Sequence, residues 1–176
     1  VRRDLQVCLL FTGLRSTDGR TVRWEEVDLD KGTIYRPKPK GGRKRAFRVP
    51  LSSFVVELLQ HRREENKALF PAGDGGWAFP ALLTSGEVGP TSAAREMRYT
   101  PGAKGKRKWT LLPSPHALRR TFICAGHESG IGTYDLKTLV NHAQPKDDIT
   151  YSYIQVSVEH LHGARRVGAG GQGEAA

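Results

Sequence analysis

Residues 24–49 hold three short strand-like runs, and helical patterns flank them on both sides. That arrangement limits the fold more than any other stretch of the chain. Residues 24–29 alternate apolar and polar, and Asp30-Lys31-Gly32 reads as a tight turn. Residues 33–36 make a second run and residues 46–49 a third, which Pro50 ends. Between the last two lies Lys38-Pro39-Lys40-Gly41-Gly42-Arg43-Lys44-Arg45, a basic, glycine-containing tip. Upstream, residues 4–12 read as a buried helix stopped by Gly13, and residues 16–22 as a short helix with Ser16 as N-cap. Downstream, residues 52–66 predict an amphipathic helix with Phe54, Val55, Leu58 and Leu59 facing inward. The expected fold class is α+β: a mainly helical domain with a small three-stranded antiparallel sheet near its N-terminus.

The remaining segments extend that pattern. Residues 70–91 are rich in Gly and Pro and read as loop, with a short helix over 92–98. Residues 101–108 form a second basic loop. Ser114-Pro115 opens a helix, serine at N-cap and proline at N1, that runs to Glu128 and stops at Gly130. Thr133 is expected to cap a helix ending near His142, and Asp148 one that runs to Leu161. The Gly-rich residues 163–176 are expected to be a disordered tail, so the domain spans residues 1–162. The start, Val1-Arg2-Arg3-Asp4, carries no initiator Met, which gives the expectation of a piece of a longer protein.

Charge narrows the partner. The 176 residues fit one domain and carry a formal net charge of +10. A balance this basic favours a polyanion, either nucleic acid or an anionic membrane. No basic amphipathic helix stands out, and no run reaches the ~18 apolar residues of a membrane span, so nucleic acid is the expected partner. Cys8 and Cys124 lack CxxC spacing, predict two reduced thiols, and leave no zinc-ligand pattern.

Several side chains carry chemistry suited to a phosphate. His116 and Arg119 are three apart, on one face of the first turns of a helix, where free N–H groups favour an anion. A guanidinium there can grip two phosphate oxygens in a fork. Arg15 lies at a junction between helices, with Asp18 three residues on and able to orient it. Lys40 directly precedes Gly41-Gly42, which would let it swing inward, and is preferred to Lys38. His142 ends a helix, and Tyr151 and Tyr153 compete as nucleophile. A phenol has a pKa of ~10, so reaching phenolate at neutral pH costs about 4 kcal/mol and calls for a cationic pocket. The acids Glu25, Glu26, Asp28 and Asp30, with Asp147-Asp148, could suggest a two-metal site. They alternate along one strand and around a turn, which suits a solvated face, and no metal is expected.

These residues fall into ordered boxes. Thr12-Gly13-Leu14-Arg15 with Asp18, the Val49-Pro50-Leu51 segment after the lysine-bearing hairpin, Ser114-Pro115-His116-Ala117-Leu118-Arg119-Arg120-Thr121, Leu139-Val140-Asn141-His142 and Thr150-Tyr151-Ser152-Tyr153-Ile154 follow in turn. The set resembles the catalytic domain of the tyrosine recombinases, the phage-integrase family, over residues 5–162. The acid at position 18 is commonly glutamate in that family, and the segment 144–148 looks like a small insertion.

The resemblance implies metal-independent DNA breaking and rejoining without a cofactor. Arg15, Arg119 and His142 would hold the scissile phosphate, Tyr153 would attack it, Lys40 would protonate the leaving 5′-oxygen, and His116 would act as acid/base or orient the phosphate. Lys38, Arg43, Lys44, Arg45, Lys106, Arg107 and Arg120 would meet double-stranded DNA. It also implies an upstream clamp domain missing from this chain, a synaptic tetramer for the full-length protein, and a cytoplasmic, nucleoid-associated place in a bacterium or phage. A catalytically inactive DNA-binding remnant or regulator of the same fold and a type IB topoisomerase-like enzyme are the alternatives.

Overall fold

A computed structural model describes residues 1–92 and 113–142. Helix α1 (Arg2–Thr12) ends where Gly13 turns left-handed at φ 65, its N–H donating to the Leu9 carbonyl. A short α2 follows over Ser16–Arg20. Three antiparallel strands come next in the order β1 (Val27–Asp28), β2 (Thr33–Arg36), β3 (Phe47–Pro50), with Ile34 opposite both Val27 and Val49. Helix α3 spans Ser53–Leu69, and the Ser52 hydroxyl caps it by accepting from the Val55 N–H. A hairpin of β4 (Pro80–Leu82) and β5 (Val88–Pro90) precedes α4 (Pro115–Glu128) and α5 (Thr133–Leu139). The α+β class with a three-stranded antiparallel sheet is as the sequence predicts.

One apolar core joins these elements. Leu5, Cys8 and Leu9 of α1 pack with Ile34 and Val49 of the sheet, Val55 and Leu59 of α3, Phe79, and Leu118 of α4. A smaller cluster, Ile131, Leu136 and Leu139 with Phe122, seats α5 on α4. Under α3 runs a buried polar chain. Arg62, only 1% exposed, donates to Asp4 at 2.6 Å and to Asn66 Oδ1 at 3.0 Å. The Asn66 amide then donates to the Trp77 carbonyl at 3.2 Å. Burial pushes the Asp4 carboxyl up, but hydrogen bonds from Arg62 and Arg3 more than offset this and leave it below the usual range.

Several expectations are corrected. Residues 24–26 form a 3-10 turn, because the Glu26 carboxylate accepts from the Arg23 N–H and folds the chain back before β1. Ser16 and Thr133 are the first residues of their helices; Arg15 and Gly132 occupy the N-cap positions. Phe54 is 47% exposed and leans on Phe11, 4.9 Å between ring centroids. Pro50 is the last residue of β3, opposite Thr33. The stretch read as loop over 70–91 contains β4 and β5, with Thr91 donating to the Phe79 carbonyl at 2.8 Å and fixing the buried Phe79. The helix ending near His142 stops at Leu139.

Both cysteines are free, Cys8 buried and Cys124 exposed. Among the described residues no helix is long and apolar enough to cross a membrane. Residues 101–108, the helices expected over 92–98 and 148–161, and the tail over 163–176 lie outside the described residues.

Candidate active site

The site begins at the end of α1. Gly13 sits so close to α4 that a β-carbon on it would lie 2.4 Å from Phe122 Cδ1. That approach brings the Gly13 carbonyl within 2.6 Å of Arg119 Nη1. Arg119 Nη2 donates to the Val140 carbonyl at 2.7 Å. One guanidinium thus links the end of α1 to the end of α5 in the fork geometry that only arginine offers. Arg15, two residues after Gly13, donates from Nη1 to the Asn141 carbonyl at 3.1 Å.

The end of α5 is built to receive both arginines. Asn141 adopts φ 46, its N–H donates to the Thr138 carbonyl at 2.9 Å, and the His142 N–H donates to Lys137 at 2.9 Å. This pair of bonds is a Schellman turn, with asparagine in the left-handed position that glycine usually takes. It turns the Val140 and Asn141 carbonyls, at the negative end of the helix dipole, toward the guanidinium groups.

A buried carboxylate lies behind them. Asp18 is drawn up from its ordinary value by burial, against the opposing pull of Arg36, Arg15 and Arg119 and of a hydrogen bond from the Lys40 backbone N–H. Arg36, on an inward position of β2, donates to Glu26, the Thr21 carbonyl and the Thr21 hydroxyl. Arg119 is pulled down to about 10, by burial first and then by the nearby Arg15 charge. At that value it stays protonated at neutral pH. Two close guanidinium groups, one of them buried, repel each other, and an anion between them relieves that repulsion. The arrangement can therefore grip an oxyanion such as a phosphodiester.

The model of the family described as "Phage integrase family" matches residues 2–160. The chain belongs to the phage integrase family.

Other phage integrase relatives agree. The chain is 26% identical to "Tyrosine recombinase XerA" of Pyrococcus furiosus over 164 residues, 92% of this chain and 52% of that protein. It is 30% identical to "Prophage integrase IntZ" of Escherichia coli K12 over 122 residues, 69% of this chain and 27% of that protein. The chain thus spans about half of the first relative's length and less of the second's. Its fold is similar to that of a Tn1549 transposon integrase solved with circular intermediate DNA, at TM-score 0.56 and 17% identity over 93% of this chain and 57% of that one. It is also similar to a crystal structure of XerA recombinase, at TM-score 0.54 and 17% identity over 90% of this chain and 55% of that one.

Against the integrase boxes, the structure gathers Arg15, Arg119 and the backbone leading to His142. Lys40 comes near them through its backbone, whose N–H favours the Asp18 carboxylate, while its side chain, like that of Lys38, is exposed. His116 is exposed in the first turn of α4, with Arg120 exposed beside the buried Arg119, and His142 is exposed just past α5. Of the basic tip, Arg43 and Lys44 are exposed; Arg45 is half-buried, and its carbonyl accepts from the Asn141 side-chain amide at 3.3 Å. Tyr151, Tyr153, Lys106, Arg107 and Asp147-Asp148 lie outside the described residues. Among those described, no three His, Cys, Asp or Glu side chains gather into a metal-binding group. Three acids of the first hairpin pair with cations: Glu25 with Arg23, Glu26 with Arg36 and Asp28 with Lys31.

Two residues of this site escaped the sequence reading. Arg36 shares the inward register of Ile34 along β2, and a charged residue in that register signals a buried pair. Asn141 directly follows a helix end, and asparagine is the usual substitute for glycine there.

Proposed function

We propose that this chain is the catalytic part of a site-specific DNA recombinase that cuts and rejoins double-stranded DNA through a 3′-phosphotyrosine. The observation that carries this reading is the Arg15–Arg119 pair, held side by side on the carbonyls of Gly13, Val140 and Asn141. Family membership over residues 2–160 and the DNA-bound transposon integrase of similar fold support it.

In this reading Arg15, Arg119 and His142 hold the non-bridging oxygens and stabilise the charge that grows on them. The Tyr153 oxygen attacks phosphorus, its phenolic proton passing to a base for which His116 is the candidate. The P–O5′ bond breaks, and Lys40 gives a proton to the departing 5′-oxygen. The reverse attack by a 5′-hydroxyl reseals the strand, so no ATP, metal or cofactor is consumed. Lys38, Arg43, Lys44, Arg45, Lys106, Arg107 and Arg120 meet the DNA backbone. The longer protein would carry a further DNA-clamping domain, assemble a tetramer on two sites and act on nucleoid DNA in the cytoplasm.

The test is a pool of duplexes of randomised sequence, nicked so that the freed 5′ fragment diffuses away. Denaturing gels should show a protein–DNA adduct whose trapped DNA reports the cleaved site. The adduct should survive Tyr151→Phe and EDTA and vanish with Tyr153→Phe. The opposite tyrosine result moves the nucleophile to Tyr151, and loss in EDTA alone replaces the mechanism with a metal-dependent one. DNA retention without an adduct on any substrate would make the chain a binding remnant. Relaxation of supercoils at unrelated sequences would make it a topoisomerase.

A further inference from the structure

We infer that the side-chain amide of Asn141 is a positioning group that ties the basic tip, and with it Lys40, to the arginine pair. The inference rests on the recombinase reading above. Among the described residues Asn141 is the one non-glycine residue with positive φ. Two of its contacts are made by its backbone. Its N–H closes the turn on Thr138, and its carbonyl receives Arg15. Glycine would supply both, with less strain. The third contact belongs to the side chain alone: Nδ2 donates to the Arg45 carbonyl at 3.3 Å, across 96 positions of sequence.

Arg45 closes a small folded unit. Its N–H donates to the Gly42 carbonyl at 3.0 Å, and the Gly42 N–H donates to Pro39 at 2.9 Å. The Arg45 side chain lies over Gly41, where an added β-carbon would be 2.6 Å from Arg45 Cδ. The segment from Pro39 to Arg45 therefore moves as one piece. It is tied to the end of α5 by the hydrogen bond from Asn141 to the Arg45 carbonyl, and the Lys40 backbone N–H lies near Asp18. Both places adjoin the groups around Arg15 and Arg119. Losing the Asn141 bond loosens the tip, and the Lys40 ammonium then meets the leaving oxygen less often. The phosphate grip of the arginines is untouched, so DNA affinity stays and the cleavage step slows.

The test uses Asn141→Gly, which keeps the turn and the carbonyl, and Asn141→Asp, which keeps the shape but sets an oxygen against the Arg45 carbonyl. Without DNA, trypsin should cut after Lys40, Arg43, Lys44 or Arg45 roughly fivefold faster in both variants than in the parent chain. On the cleaved site recovered above, adduct formation should slow roughly tenfold in Asn141→Gly, with an unchanged half-saturating DNA concentration. Sulfur in place of the bridging 5′-oxygen should restore the parental rate, because a thiolate leaves without needing a proton. Equal trypsin rates in all three proteins overturn the tether. An equal slowing on oxygen and sulfur substrates overturns the link to Lys40. If the parent chain forms no adduct, the recombinase reading falls and the catalytic role of the tether with it, while trypsin still decides whether the tip is held.

Discussion

Arg119 donates from two nitrogens to carbonyls at two different helix ends, and a lysine at the same position has one ammonium to offer. Arg119→Lys should leave at least one carbonyl unpaired and lower stability by about 1–3 kcal/mol in urea unfolding. It should also abolish the DNA adduct. Asp18 behaves differently. Its carboxyl is raised above 3.8 by burial, so its ionised form is less welcome in the folded chain than in the unfolded one. That unfavourable contribution is full at pH values above the folded pKa and fades as pH falls toward and below 3.8. Asp18→Asn should therefore melt higher than the parent at neutral pH, with a gap that narrows on acidification. The same change should slow adduct formation, since Arg15, Arg36 and Arg119 lose the charge they face.

Helices α1 and α4 meet across Gly13, where the left-handed turn and the missing β-carbon are both used. Gly13→Ala should cost about 1 kcal/mol for the turn and more for the collision with Phe122. Adding Phe122→Ala should remove the collision term, and a double-mutant cycle in urea measures it. An element start set by local chemistry was legible in the sequence: Ser114-Pro115 opens α4 as expected, with serine at the N-cap and proline at the first helical position. Features set by distant partners were not. Phe54 lies within the apolar stripe of α3, yet it packs on Phe11 at the surface because Val55 and Leu59 already fill the core. The β4–β5 hairpin is short and bounded by prolines, and its pairing depends on Phe79 and Thr91 rather than on alternation. The arginine boxes could be read as spacing. Their convergence depends on the turn at Asn141, which a single residue type signals only weakly.

A chain of 176 residues with net charge +10 should hold a duplex largely through phosphate contacts. Fluorescence anisotropy on a labelled duplex should show affinity falling steeply between ~50 and ~200 mM salt. Arg43→Ala and Lys44→Ala, both exposed on the tip, should each lower the slope of log affinity against log salt by about 1. The Arg119 contact has another consequence, for the order in which the molecule is made. One of its carbonyl partners arrives at Gly13, early in synthesis; the other arrives at Val140, after α2 through α5 have emerged. A nascent chain on the ribosome therefore carries Arg15 for 126 residues before the Asn141 carbonyl that receives it is made, and Arg119 stays tied at one end only until α5 docks.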